Sequence, residues 1–157
     1  MPKILVIGQA LPAVPQQYPY DTTMLYDWLQ ELNVSKDSAQ NLFAFEAVYA
    51  EFPGVNKNGG HLKPTKQQML DHWNNTLETK IQMANRIWVL GNVAKEFIDR
   101  MPRTWSCNSE WLYTMHPSRR NYYKFSLDKD SILNQISLFL NGKGHFKKET
   151  TNQQSLF

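Results

Sequence analysis

Cysteine is nearly absent: Cys107 is the only one in 157 residues. A single thiol forms no intramolecular disulfide and cannot alone hold an iron-sulfur cluster or a cysteine-rich zinc site. The expectation is therefore a reducing cytoplasm and a chain with no cofactor and no metal. Long apolar runs are missing too. No stretch reaches the roughly 18 uninterrupted apolar residues that a membrane span requires, so no membrane association is expected. The start, Met1-Pro2-Lys3-Ile4-Leu5-Val6-Ile7-Gly8, lacks the long apolar region and small-residue cleavage site of a secretory signal and reads as the first strand of a fold. Charge of one sign is modest. Lys plus Arg number 17 against 14 Asp plus Glu, a net +3, which permits nucleic-acid binding without establishing it. No internal repeat is present.

What remains is an ordinary globular composition with an aromatic excess. Hydrophobic residues are 41% and charged residues 20%, which suits one domain with its own core and argues against disorder. Aromatics are 13%, and they serve either core packing or, where they sit in loops near positive charge, stacking on bases.

Lys3 to Ile7 is an apolar, β-prone run without polar alternation, the pattern of a strand buried on both faces. Gln9 to Tyr20 contains Pro12, Pro15 and Pro19 and reads as a loop. Asp21-Thr22-Thr23 offers N-cap chemistry ahead of Met24, Leu25, Trp28, Leu29 and Leu32 at helical spacing. Asn41 to Phe52 reads as a second strand, with a helical start left open, and Pro53-Gly54 stops it. Pro64-Thr65 opens a long helix whose buried face is Met69, Trp73, Leu77, Ile81 and Ala84, leading into the strand Arg86 to Gly91. Val93 to Met101 predicts a helix, Trp111 to Met115 a fourth strand, and Asp130 to Leu140 a closing helix. Strands alternating with helices predict a three-layer α/β/α fold around a mostly parallel four-stranded sheet, with sites outside the strands' carboxyl ends. The domain spans 1–141. From 142 to 157 the composition turns to Gly, Lys, Thr, Asn and Gln and predicts a flexible tail.

Two loops follow predicted strand ends. Ile4 to Pro12 is a strand followed by a Gly-polar-x-Pro type of loop, and Thr114 to Asn121 is a strand followed by His116-Pro117-Ser118. Together they resemble the two signature motifs of the uracil-DNA glycosylase superfamily. Phe52-Pro53-Gly54, Pro64-Thr65 and Ile87-Trp88-Val89-Leu90-Gly91-Asn92-Val93-Ala94 resemble its middle section in the same order, so the likeness covers about residues 3 to 140.

The resemblance implies a uracil-DNA glycosylase-like fold and hydrolysis of the bond between a flipped-out base and its deoxyribose. His116 matches the histidine that hydrogen-bonds the departing base; otherwise it is a strand-end histidine satisfied by backbone. Gly8 and Gln9 match the first motif, where the glycine allows close approach and the loop amides and Gln meet the base. Ser118 would hold phosphate. Arg119, Arg120 and Asn121 stand where relatives contact DNA, and Arg120 is a candidate to fill the space left by the flipped base; the alternative for the arginines is a solvated pair of charges.

The chain also departs from the pattern. One branch carries Asp after Gly-Gln, where this sequence has Ala10; the iron-sulfur branch carries Glu where it has Gln9; and Leu11 is an extra residue before Pro12. Neither customary carboxylate is present. Asp21 is the nearest acid and is either catalytic or the N-cap of the following helix. Tyr18 and Tyr20 either wall the base pocket or pack as surface rings. For the residue that reads the base from the second strand, Asn41 is one candidate, while alignment on Pro53 brings Ala47 there with Glu46 adjacent. The base is thus uracil or a related damaged or modified one.

The last five residues, Gln153-Gln154-Ser155-Leu156-Phe157, resemble the bacterial sliding-clamp-binding pentapeptide, with Gln153, Leu156 and Phe157 as anchors. A Gln and a terminal apolar pair on a flexible linker suit docking in an apolar pocket and would raise the enzyme's effective concentration on DNA; the alternative is a terminus packed on its own domain. The whole reads as a monomeric, monofunctional DNA glycosylase of base-excision repair that partners DNA and the clamp. A non-catalytic lesion-recognising protein of the same fold is the alternative.

Overall fold

The computed structural model describes residues 4–9, 23–48, 57–58, 65–101, 109–117, 121–142 and 147–148. β1 (Ile4–Gly8) is buried along its whole length, as its unbroken apolar run requires. α1 (Thr23–Glu31) buries Leu25, Trp28 and Leu29, one stripe at helical spacing. α2 (Lys36–Leu42) opens at Ser35, whose hydroxyl accepts from the Ser38 N–H at 3.1 Å, and β2 (Phe43–Ala47) follows without a loop. The helical start left open for the second strand is therefore a separate element, and the strand is shorter than Asn41 to Phe52.

The long helix exists but is not uniform. α3 (Lys66–His72) starts with a capping box between Thr65 and Gln68, passes through a π-helical turn at Trp73–Leu77, and continues as α4 (Glu78–Met83). β3 (Arg86–Leu90), α5 (Asn92–Arg100) and β4 (Glu110–Thr114) follow. α6 (Tyr122–Leu140) begins eight residues ahead of its predicted start, with Asp128 (φ −117°, ψ 21°) breaking its geometry. Phe125 is buried there, but Tyr123 and Leu127 are exposed, so apolar residues in the first turns do not follow the helical period.

The strand order is β2-β1-β3-β4-β5, and β1 to β4 are all parallel. β5 (Lys147–Lys148) adds a two-residue antiparallel edge on Glu110 and Trp111, from within the segment whose composition predicts a tail. Two cores sandwich the sheet. Val6, Trp88 and Leu112 face Leu25, Trp28, Ile136 and Phe139 of α1 and α6; Ile7, Val89 and Trp111 face Trp73, Leu77, Ile81 and Phe97 of the π turn, α4 and α5. This is the expected three-layer α/β/α arrangement. The strand order turns back at β1, with β2 on one side and β3 on the other, and such a switch point is where open parallel sheets leave a crevice outside their carboxyl ends.

Candidate active site

β1 and β2 stay paired to their ends, with Gly8 opposite Ala47 and the Val48 N–H donating to the Gly8 carbonyl at 3.0 Å. Gln9, the next residue, emerges exposed. β3 ends in Gly91 at φ +90°, ψ 162°, a backbone region essentially confined to glycine. A Cβ there would lie 3.1 Å from the Cβ of His116, so the missing side chain is what lets the β3–α5 turn press against the histidine. The Gly91 N–H donates to the Thr114 carbonyl at 2.8 Å and ties the two strand ends together. β4 then delivers His116, half-buried, followed by a buried Pro117.

These ends surround an open cavity of about 1030 Å³, lined by Gln9, Gly91, Asn92, His116, Asn121 and Lys124 among others. Its described lining includes Lys95 and Lys124 and no carboxylate. Lys95 stands 5.3 Å above the Tyr113 ring and pairs with Asp99 at 3.3 Å. The described lining thus combines two lysines with the Gln9, Asn92 and Asn121 amides and the His116 imidazole, groups that suit a polyanion and offer hydrogen bonds to a planar polar ligand.

Of the residues singled out in the sequence, Gly8, Gln9, His116 and Asn121 come together at this end of the sheet. Asn41 does not join them. It is the penultimate residue of α2, just ahead of β2, and the parallel register sets Phe43 beside Ile4 at the amino end. At about 3.3 Å per residue a five-residue strand separates Asn41 from the cleft by roughly 17 Å. Ala47 sits at the cleft end instead, and Glu46 pairs with Lys80 of α4 on the outer flank. A ring nitrogen of His72 lies 2.7 Å from the Ala47 carbonyl, linking α3 to this strand end. Ala10, Tyr18, Tyr20, Asp21, Ser118, Arg119, Arg120, Gln153, Leu156 and Phe157 lie outside the described residues. Lys95, Lys124 and Thr114 line the cleft without having been singled out. Only their spacing from Gly91 and His116 could have pointed to them, because a surface lysine has no local signature.

Among the described residues, no group of three or more His, Cys, Asp or Glu is arranged to hold a metal ion, and no helix is long and apolar enough to cross a membrane.

A parallel sheet whose crevice carries a glycine turn, a glutamine and a histidine at adjacent strand ends defines an α/β protein with an open cleft at its topological switch point. Within that class the chain belongs to the uracil DNA glycosylase superfamily, whose family model matches residues 1–137. No curated protein matches the chain. Members of this superfamily act on DNA in base-excision repair and hydrolyse N-glycosyl bonds, so membership carries a DNA glycosylase type of function.

Proposed function

We propose that this protein is a monofunctional DNA glycosylase that hydrolyses the bond between deoxyribose and a flipped-out uracil or related damaged or modified base. The observation that carries this is the convergence of Gln9, Gly91 and His116 on one cleft, lined also by Lys95 and Lys124, in a chain of this superfamily. As the C1′–N bond stretches, the sugar becomes oxocarbenium-like and the base gathers negative charge. His116 stabilises that charge by hydrogen-bonding the departing base. Gln9 and the loop amides hold the base's polar edge, with Gly8 allowing close approach, and Ala10, Tyr18 and Tyr20 complete the pocket wall. Water adds to C1′, and its proton ends on the base. Asp21 is the acid nearest in sequence to orient that water. Ser118, Arg119 and Arg120 hold the phosphate backbone, with Arg120 filling the vacated stack.

Gln9 and Ala10 stand where the two familiar branches have carboxylates, and this favours a second reading: a slow or inactive lesion-binding protein of the same fold. One experiment separates them. Oligonucleotides carrying uracil, hypoxanthine, xanthine, 5-hydroxymethyluracil or modified cytosines are incubated with the protein and cleaved by alkali at abasic sites. The glycosylase reading expects cleavage at one base, and a loss of roughly 10²- to 10⁴-fold in His116→Ala. Silence across the panel with DNA still bound establishes the binding-only reading. The tail reading, in which Gln153, Leu156 and Phe157 dock on a bacterial sliding clamp, is tested by deleting residues 153–157. Loss of clamp affinity supports it, and unchanged affinity ends it.

A further inference from the structure

His116 lies two residues beyond the end of β4, and the backbone that carries it is held on both sides. Upstream, the Trp88 indole N–H, on a side chain with no exposed surface, donates to Thr114 Oγ1 at 2.9 Å. A hydroxyl has a single proton, and with the indole occupying one lone pair that proton is left for the Met115 carbonyl, 3.2 Å away. The Thr114 carbonyl accepts from Gly91 at 2.8 Å, so the hydroxyl and the carbonyl of this residue are each engaged by β3, by the turn that follows it or by its own strand end.

Downstream, Asn121 occupies the N-cap position of α6, where an asparagine ordinarily bonds the second or third amide of its helix. It makes no such bond. Its side-chain amide instead donates back to the His116 carbonyl at 2.9 Å, closing the loop from 116 to 121. A residue of the best N-capping class has given up its cap to hold the histidine's own peptide.

We propose that Thr114 and Asn121 are positioning residues that, acting through the backbone on either side of His116, set where its imidazole meets the departing base. The inference rests on the reading of His116 as the group that stabilises the leaving base. The imidazole has only two torsions of its own, and the turn at Gly91 packs so close that even an added Cβ there would meet the His116 Cβ at 3.1 Å, so displacement of the peptide becomes displacement of the ring. A transition-state hydrogen bond tolerates such displacement poorly, whereas substrate binding spread over a phosphate backbone tolerates it well.

The test uses the full chain with three variants. Asn121→Ser removes the reach to His116 and leaves a residue of the N-capping class at the start of α6. Thr114→Val removes the hydroxyl at nearly constant volume, and Thr114→Ser restores it. The quantities measured are the single-turnover rate of base release at saturating DNA, the DNA affinity, the thermal midpoint, and the His116 ring resonances by NMR. Asn121→Ser and Thr114→Val are expected to slow base release about tenfold or more with DNA affinity within about twofold of wild type, and Thr114→Ser to recover most of the rate. The midpoint should fall in Thr114→Val, where the buried indole loses its acceptor, and should hold in Asn121→Ser. Rates equal to wild type in Asn121→Ser and Thr114→Val overturn the proposal, as does a loss confined to DNA affinity. If the wild-type protein releases no base at all, the glycosylase reading fails by itself, and the resonances still decide this inference. Shifted His116 ring signals in Asn121→Ser and Thr114→Val, but not in Thr114→Ser, support it; unmoved signals overturn it.

Discussion

The two ends of the same four strands are finished in opposite ways. At the amino end β2 follows α2 directly, and the starts of β3 and β4 are tied to a helix end or another strand. Arg86 Nη1 donates to the Phe139 and Leu140 carbonyls at 3.1 Å each, Ser109 Oγ bonds the Ala84 carbonyl, the Glu110 N–H reaches the Asn85 carbonyl at 3.0 Å, and β5 pairs across the start of β4. At the carboxyl end the chain leaves a cavity, exposes Gln9 and relies on a glycine in a backbone region that other residues avoid. Between them, β1 and β3 are almost wholly buried, while β2 and β4 are partly buried along much of their length. The lesson is that a parallel sheet can place its stability at one end and its chemistry at the other, so changes at the two ends should separate in what they damage.

The strongest way to break that separation is at Gly91, where a single added methyl meets both costs at once. Gly91→Ala must hold φ near +90°, ψ near 162°, and fit a Cβ 3.1 Å from that of His116. Backbone strain of this kind costs of order 1–3 kcal/mol, so a destabilisation of roughly 2–3 kcal/mol is expected. Because relief of the contact moves His116, a loss of base release of at least about tenfold should accompany it. Denaturant melts and single-turnover assays check the two separately. Full activity in a destabilised variant would show that the close approach is packing alone.

Arg86 is the counterpart at the closed end. Its guanidinium caps α6 by accepting none and donating twice to the last-turn carbonyls, and Gly142, at φ +69°, leaves room for it, since a Cβ there would come within 2.6 Å of Nη2. Arg86→Met keeps the aliphatic stem and removes these charged hydrogen bonds, so a destabilisation of about 1.5–2 kcal/mol is expected. Activity per folded molecule should stay at the wild-type level. A chemical melt and an assay normalised to folded protein read the two. Lost activity at unchanged stability would mean that the two ends are coupled through the sheet.

This contrast also marks what was legible in the sequence. The parallel sheet was, because Ile4–Ile7 and Ile87–Leu90 are continuous apolar runs that suit only strands covered on both faces. The position of His116 just past the end of β4 was, because a strand that ends at Thr114 or Met115 must deliver the next residues at its carboxyl end. The position of Asn41 at the amino end of the sheet was not, since a residue's sheet end depends on where helix gives way to strand, and Ser35 as an N-cap was the local signal that α2 precedes β2. The early start of α6 was hidden for a related reason: Tyr123 and Leu127 face outward, so helix and apolar period disagree there. The bonds from Trp88 to Thr114 and from Asn121 to His116 join residues whose pairing depends on register and loop closure, which composition does not encode.

The smallest expected effect concerns the charge of the open end. Lys124 is exposed on α6 and lines the cleft, three residues beyond Asn121. If the cleft accepts the phosphate backbone, this ammonium displaces one counterion from DNA, and its removal should weaken binding at every sequence alike. For Lys124→Ala the slope of log affinity against log salt should therefore become shallower by about 0.9. The measurement is a set of equilibrium titrations of labelled duplex at several salt concentrations, wild type beside variant. The single-turnover rate at saturating DNA should move far less than the affinity, because the lysine acts before the base is committed. A parallel salt dependence for the two proteins would remove Lys124 from the DNA path and direct the strand to the Gln9 side of the cavity. An equal slope change in Arg86→Met would instead show that the charge of the whole chain, and not the open end, governs binding, and the contrast between the two ends would then hold for stability alone.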